Sequence, residues 1–476
     1  MIPPKIKTDK DAKYAGAYVK EPKPGRYDWV VNFDLNSLYP HLIMQYNISP
    51  ETLREARHSS TSVERILNKE VEIDGEYAVC ANGAQYRKDV QGFLPLMMQK
   101  MYDSRVIFKK RMIDAKKKYE KAPSPDLVKE IARCNNIQMA KKISLNSAYG
   151  AIGNEHFRYY RLANAEAITL SGQVSIRWSE NKMNAYLNKL LSTEKVDYVI
   201  ASDTDSIYLN LGPLVTKFFS NKSDDKVRIV EILDKICKDK LEPFIDASYQ
   251  ELATYVAAYD QKMIMKRENI ADRGIWTAKK RYILNVWDSE GVRYKEHKMK
   301  IMGLETARSS TPQYFRDKLY AAFKIIIGKT NDELINFVNA VREETKERPY
   351  EEIAFPRGVN NLEKYKHRTD IYSKGTPIHV RGALLYNDFI RKNKLQHKYQ
   401  MIQEGEKIKF IYLKTPNPLH ENCVSFFSTI PPEMNLDKYV DYQLQFEKSF
   451  LEPLKNVLQC VGWQHEKKVT LGSFFE

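Results

Sequence analysis

Two aspartates, Asp203 and Asp205, stand two positions apart in the stretch Tyr198–Asn210, which reads YVIASDTDSIYLN. Apolar runs at Tyr198-Val199-Ile200 and Ile207-Tyr208-Leu209 flank that polar tip and predict a β-hairpin. On an extended chain, side chains two apart point the same way, so two like charges would stand together with only Thr204 and Ser206 beside them. A cation relieves such a pair, and hard oxygen donors suit Mg²⁺. An exposed Asp-rich turn is the plainer alternative. A second carboxylate shifts the balance. The apolar run Trp29-Val30-Val31-Asn32-Phe33 stops at Asp34, and an acid at the end of a buried strand is a position where metal chemistry is done.

Helices have to bring cations to these acids. The pattern predicts helices over Leu96–Lys118 and Leu127–Tyr149, joined through Pro123-Ser124-Pro125, hence an antiparallel helical hairpin. Arg105 and Lys109 are four apart on the first arm, and Lys142, Asn146 and Tyr149 share one face of the second. A lone lysine on a helix is ordinarily a solvated charge. Further helices are predicted at Ala163–Thr169, Gln173–Leu191, Val227–Lys240, Leu241–Tyr259, Gln313–Ile327 and Asn331–Glu347. A short strand at Met263–Met265 is predicted to end at Lys266-Arg267-Glu268, and an alternating strand runs from Tyr282 to Trp287 after Lys279-Lys280-Arg281.

Taken together these stretches resemble family B DNA polymerases. Asp34-Leu35-Asn36-Ser37-Leu38-Tyr39-Pro40-His41 is similar to that family's DxxSLYPS motif, with His41 for the usual Ser. Ala201-Ser202-Asp203-Thr204-Asp205-Ser206 resembles YGDTDS, with Ala201-Ser202 for Tyr-Gly. Lys142–Gly150 matches Kx₃NSxYG, Tyr14-Ala15-Gly16-Ala17 resembles the YxG(G/A) motif, and Lys279-Lys280-Arg281-Tyr282 resembles KKRY. Asn47–Thr52 (NISPET) and Trp287–Tyr294 (WDSEGVRY) point in particular to the replicative polymerases of T-even-like phages.

The resemblance implies an α+β right-hand fold with an antiparallel-sheet palm, helical-hairpin fingers and an α-rich thumb. After a lead at 1–13, the palm is expected at 14–91 and 155–303, the fingers at 92–154 and the thumb at 304–476. It implies a DNA-directed DNA polymerase extending a primer 3′ end with dNTPs. Asp34, Asp205 and the Leu35 carbonyl would hold two Mg²⁺ ions, for which Mn²⁺ may substitute, with Asp203 nearby and Glu268 a possible accessory acid. Ser37, Leu38, Tyr39, Arg105, Lys109, Lys142, Asn146 and Tyr149 would bind the nucleotide. Tyr39 would exclude a 2′-hydroxyl, and Lys142 would donate a proton to pyrophosphate. Tyr14, Gly16, Lys279, Lys280, Arg281 and Tyr282 would bind primer–template DNA. The tail residues Leu471, Phe474 and Phe475 are similar to a sliding-clamp-binding end. The family's N-terminal and exonuclease domains have no counterpart ahead of Met1, so a separate exonuclease-bearing subunit, or a trimmed chain without proofreading, is expected.

Bulk composition agrees with that direction. With 476 residues the chain is too long for one compact core, and 76 Lys and Arg against 61 Asp and Glu leave a net charge of +15. An excess of positive charge favours a polyanionic partner through counterion release, although many basic proteins bind no nucleic acid. Five scattered cysteines without a CxxC pair indicate neither a zinc site nor a disulfide framework. No signal core or 18-residue apolar run is present, so no membrane partner is expected and a cytoplasmic location is. Two other classes remain open: a two-metal nuclease, since paired acids serve hydrolysis equally well, and a non-catalytic DNA-binding replication factor derived from a polymerase.

Overall fold

The computed structural model describes residues 14–219, 225–367 and 370–467. They group into two units, one of residues 1–274 and 284–300, the other of 275–283 and 301–476.

The first unit is built on strand β1 (Gly25–Leu35), whose Val30, Val31 and Phe33 are buried. A strand buried on both faces reads as a continuous apolar run, as Trp29–Phe33 does. Strands β2 (Val199–Asp203) and β3 (Ser206–Asn210) form the expected hairpin. β3 lies antiparallel to β1 with Asp34 opposite Ser206. Strands β4 (Met265–Ala278), β5 (Arg281–Ser289) and β6 (Val292–Met302) complete a six-stranded sheet of order β2-β3-β1-β4-β5-β6. The strand expected at Met263–Met265 is corrected by this. It begins at Met265 and continues through Lys266-Arg267-Glu268, because Arg267 turns into a buried ion-pair network instead of ending the strand in solvent.

Helix α1 (Leu38–Gln45) follows β1 directly. The helical hairpin consists of α2 (Phe93–Lys121) and α3 (Pro125–Ile152), each slightly longer than its apolar pattern. Ser124 caps α3 by accepting from the Leu127 N–H, and Pro125 occupies the first turn, where a missing N–H costs nothing. Two expected helices, Ala163–Thr169 and Gln173–Leu191, are one continuous helix α4 (Leu162–Leu191). The helix runs through Gly172, which packs against α1: a Cβ there would make ordinary contacts of 3.4 Å with Leu42 Cδ1 and 3.5 Å with Tyr39 Cε1. Helices α5 (Lys226–Ile236) and α6 (Glu242–Tyr255) are joined by a π-helical turn at Cys237–Leu241.

The second unit holds helices α7 (Gln313–Gly328), α8 (Asn331–Lys346) and α9 (Ile378–Lys392). Thr330 and Glu333 form a reciprocal capping box at the start of α8. It also contains a sheet that the α-rich expectation missed: β7 (Phe355–Gly358), β8 (Lys407–Tyr412) and β9 (Cys423–Phe426), with β8 in the centre. The alternation Lys407-Ile408-Lys409-Phe410 carried that signal. The five cysteines are free thiols, and among the described residues no helix is long and apolar enough to cross a membrane. Leu471, Phe474 and Phe475 lie outside the described residues.

Candidate active site

A cleft of about 410 Å³ in the first unit is lined by Asp34 to Tyr39, by Arg105, Lys109 and Met112 of α2, and by Gln138, Met139, Lys142, Asn146 and Tyr149 of α3. Thr204, Asp205, Glu268 and Glu290 complete it. The structure therefore gathers Asp34, Leu35, Ser37, Leu38, Tyr39, Arg105, Lys109, Lys142, Asn146, Tyr149, Asp205 and Glu268 in one place, although they come from parts of the chain up to 234 positions apart.

The acidic corner is set by strand pairing. The Leu35 N–H donates to the Asp205 carbonyl at 2.7 Å, which fixes the end of β1 against the β2–β3 turn. That turn corrects the expectation that Asp203 and Asp205 are arranged as on an extended strand. Thr204 has φ 59°, and the Asp205 N–H bonds back to the Asp203 carbonyl at 2.6 Å, a γ-turn of positive φ. Asp205 faces the cleft, whereas Asp203 accepts from the Thr204 hydroxyl at 3.0 Å and is not among the cleft residues. Burial, then the charges of Asp205 and Glu268, hold the Asp34 carboxyl well above the usual range, against the pull of Lys109 and Lys142. Burial likewise pushes Asp205 up to about 6, with Lys142 opposing and Asp203 and Glu268 adding to the rise. More negative charge is collected here than the nearby ammonium groups offset.

Glu268 is tied down. It accepts from Asn32 Nδ2 at 2.6 Å and pairs with Lys300 at 3.1 Å. Sequence reasoning missed Lys300 because nothing in its own neighbourhood marks it; only the β4–β6 arrangement puts it there. Among the described residues no three His, Cys, Asp or Glu side chains form a ready-made metal cluster, so the candidate donor set is the Asp34–Asp205 pair with the Leu35 carbonyl. Half-buried, mutually repelling carboxylate oxygens fit a hard divalent cation.

The cationic wall comes from α2 and α3. Arg105 is 7% exposed, and its Nη1 donates to Ser37 Oγ at 2.7 Å. Ser37 holds φ 49° as the N-cap of α1, and His41 returns from α1 so that Nδ1 meets the Ser37 carbonyl at 3.0 Å. The departure His41 is thus a buried brace, edge-on to Tyr102 at 4.3 Å. Ala201 and Ser202, the other departure, are buried in β2. Lys142 makes no hydrogen bond or ion pair among the described residues and faces both aspartates electrostatically. Tyr39 and Tyr149 pack with ring centroids 4.4 Å apart, and the Tyr149 hydroxyl meets that of Tyr14 at 3.4 Å. Tyr14 therefore abuts the aromatic floor of the cleft. Gly16 contributes its carbonyl to Gln173 Nε2 at 2.6 Å.

The Lys279–Tyr282 segment belongs to the second unit. Lys279 and Lys280 are exposed at the β4–β5 turn. Arg281 pairs with Glu305 at 2.6 Å, and Tyr282 is buried against Trp276 with centroids 5.4 Å apart. Of these four residues, Lys279 and Lys280 lie at the surface, and Arg281 and Tyr282 pack within their unit.

The cleft thus sets half-buried acids opposite cations from a helix pair, beside a tilted pair of tyrosine rings. The sequence model of DNA polymerase family B matches residues 1–226. The chain is 34% identical to the DNA-directed DNA polymerase of Escherichia phage RB69 and 32% identical to that of Enterobacteria phage T4. Each alignment covers 97% of this chain and 57% of the relative. DNA polymerase 1 of Pyrococcus abyssi is 25% identical over 97% of this chain and 50% of its own length. The chain is thus similar to family B DNA polymerases, and it spans 57% of the length of those phage relatives.

Proposed function

We propose that this chain is a DNA-directed DNA polymerase that extends a primer 3′ end, with the cleft as its nucleotidyl-transfer site. The observation that carries the reading is the joint one: two half-buried acids, Asp34 and Asp205, face Arg105, Lys109 and Lys142 across a single cleft. Asp34, Asp205 and the Leu35 carbonyl would hold two divalent cations, Mg²⁺ with Mn²⁺ able to replace it. When bound, such ions acidify a 3′-hydroxyl and offset charge on a triphosphate. Arg105 and Lys109 face the phosphates and stabilise the charge that develops on them. Lys142, placed between the phosphates and the acids, gives its proton to the departing pyrophosphate. Tyr39, backed by Tyr149, forms the floor under the sugar and leaves no room for a 2′-hydroxyl.

In this reading residues 14–91 and 155–303 form the palm, 92–154 with α2 and α3 the fingers, and 304–476 the thumb. Exposed Lys279 and Lys280, with Tyr14 and Gly16, contact primer–template backbone, where phosphate contacts set register without reading sequence. The same reading gives the chain two protein partners. One is an exonuclease-bearing polypeptide that supplies proofreading, and the other is a sliding clamp engaged by Leu471, Phe474 and Phe475.

A two-metal nuclease would use the same acids but has no use for a cationic wall shaped for a triphosphate. One incubation separates the two. With primer–template, Mg²⁺ and the single complementary dNTP, a polymerase releases pyrophosphate and lengthens the primer by one nucleotide. Shortened primer without pyrophosphate would overturn the polymerase reading in favour of the nuclease.

A further inference from the structure

One carboxylate of the cleft has no place in that mechanism. Glu290 sits at the tip of the β5–β6 hairpin, and its Oε1 lies 2.5 Å from Lys109 Nζ. Both side chains are about 30% exposed, at 31% and 28%. The cation expected to grip phosphate is therefore already held by a resident anion.

The hairpin tip is built to keep Glu290 there. Glu290 and Gly291 form a two-residue turn with φ 51° and 79°, positive at both positions. A turn of that kind ordinarily takes Asn-Gly or Asp-Gly, and a glutamate at the first position is strained. Strain retained at a cleft residue points to a use for the side chain. The tip is anchored from below: the Glu290 N–H donates to the Glu268 carbonyl at 2.6 Å, and the Gly291 N–H to Asp288 Oδ1 at 2.9 Å. Asp288 is 1% exposed and is itself held by Arg267 and by Arg293 Nε at 2.9 Å. Further along α2, Glu120 pairs with Lys298 of β6 at 3.0 Å, so the helix is fastened to the hairpin at a second point.

We propose that Glu290 is the resident counterion of Lys109, standing where a triphosphate oxygen stands when nucleotide is bound. Nucleotide affinity is then set by exchange of Lys109 from Glu290 to phosphate, and Glu290 is a positioning residue that acts through Lys109. This rests on the cleft being the nucleotide site. Releasing the ion pair and placing a polyanion beside Glu290 both cost free energy, so the carboxylate holds affinity below what the cations alone would give. A partly exposed pair and a nearby like charge together correspond to about a threefold to tenfold effect on a dissociation constant.

The test uses inorganic tripolyphosphate as the probe, titrated calorimetrically into the full chain in Mg²⁺ buffer. Glu290→Gln should tighten binding by about threefold to tenfold, and in a Lys109→Met background the same change should gain less than about twofold. Glu290→Asn, which suits the turn conformation better, should tighten binding likewise while raising thermal stability. In primer extension, Glu290→Gln should lower KM for dNTP by a similar factor and move kcat less. Unchanged or weaker tripolyphosphate binding in Glu290→Gln, or an equal gain in both backgrounds, would overturn the proposal. A wild-type chain that binds tripolyphosphate but extends no primer would overturn the polymerase reading and leave this one standing. No tripolyphosphate binding by the wild type would overturn this one whether or not the primer is extended.

Discussion

His41 shows how a single departure can be structural and still bear on the site. Its ring is buried under α1, braces the Ser37 carbonyl and packs edge-on against Tyr102. Burial lowers its pKa from 6.5 to about 4. In the unfolded chain the ring takes up a proton below about 6.5, so the unfolded state binds more protons than the folded one between those values. Stability is therefore fully present above 6.5 and is lost as pH falls toward 4. Between pH 7.5 and pH 5 this one group should remove about 2 kcal/mol of stability. In His41→Phe, which keeps a ring against Tyr102 but cannot titrate, the loss measured by denaturant unfolding should be smaller by that amount. Equal losses in the two proteins would mean that His41 is protonated or solvated in the folded state. At the same scale, the chemistry-bearing residues were the legible part of the sequence. Asp34 and Asp205 stand where apolar runs end, whereas Lys142 and Tyr39 were marked only through the resemblance to family B motifs. Lys300 and Glu290 carry no such mark, because their places depend on three strands and a turn that no local pattern joins.

At the scale of elements, long apolar periodicity served well and junctions served poorly. The β2–β3 hairpin was legible because each arm is a run of buried residues, and the helical hairpin because Pro123-Ser124-Pro125 separates two long helical patterns. The two helices expected at Ala163–Thr169 and Gln173–Leu191 are one, because the buried residues on both sides of Gly172 share one continuous packed face. The strand expected to stop at Glu268 continued, since Arg267 is paired with Asp234 and Asp288 inside the unit. The sharpest local feature is the turn at Thr204. A β-branched residue at φ 59° is costly, on the order of 1–3 kcal/mol, and here it holds Asp205 toward the cleft. Thr204→Gly should relieve that strain and raise stability by about 1 kcal/mol, while a looser Asp205 should lower nucleotide incorporation by at least about tenfold. Thermal unfolding and single-turnover incorporation check the two halves. A variant with raised stability and undiminished incorporation would remove Thr204 from the account of how Asp205 is positioned.

At the scale of the whole molecule, the net charge of +15 was visible at once, yet its placement was not. Arg281 and Arg267 spend their charge inside the protein, on Glu305 and the Asp234–Asp288 network. What remains for a polyanionic partner is a smaller set than the count suggests, with Lys142 open to the cleft. The central claim is that this cleft performs templated nucleotide addition. The most direct measurement is extension of a labelled primer–template by the chain with dNTPs and Mg²⁺, beside Asp205→Ala, with DNA binding followed by fluorescence anisotropy. The account predicts that the wild-type chain extends the primer, and that the variant binds the same DNA but extends it at least about a thousandfold more slowly. Extension by Asp205→Ala at the wild-type rate would contradict it.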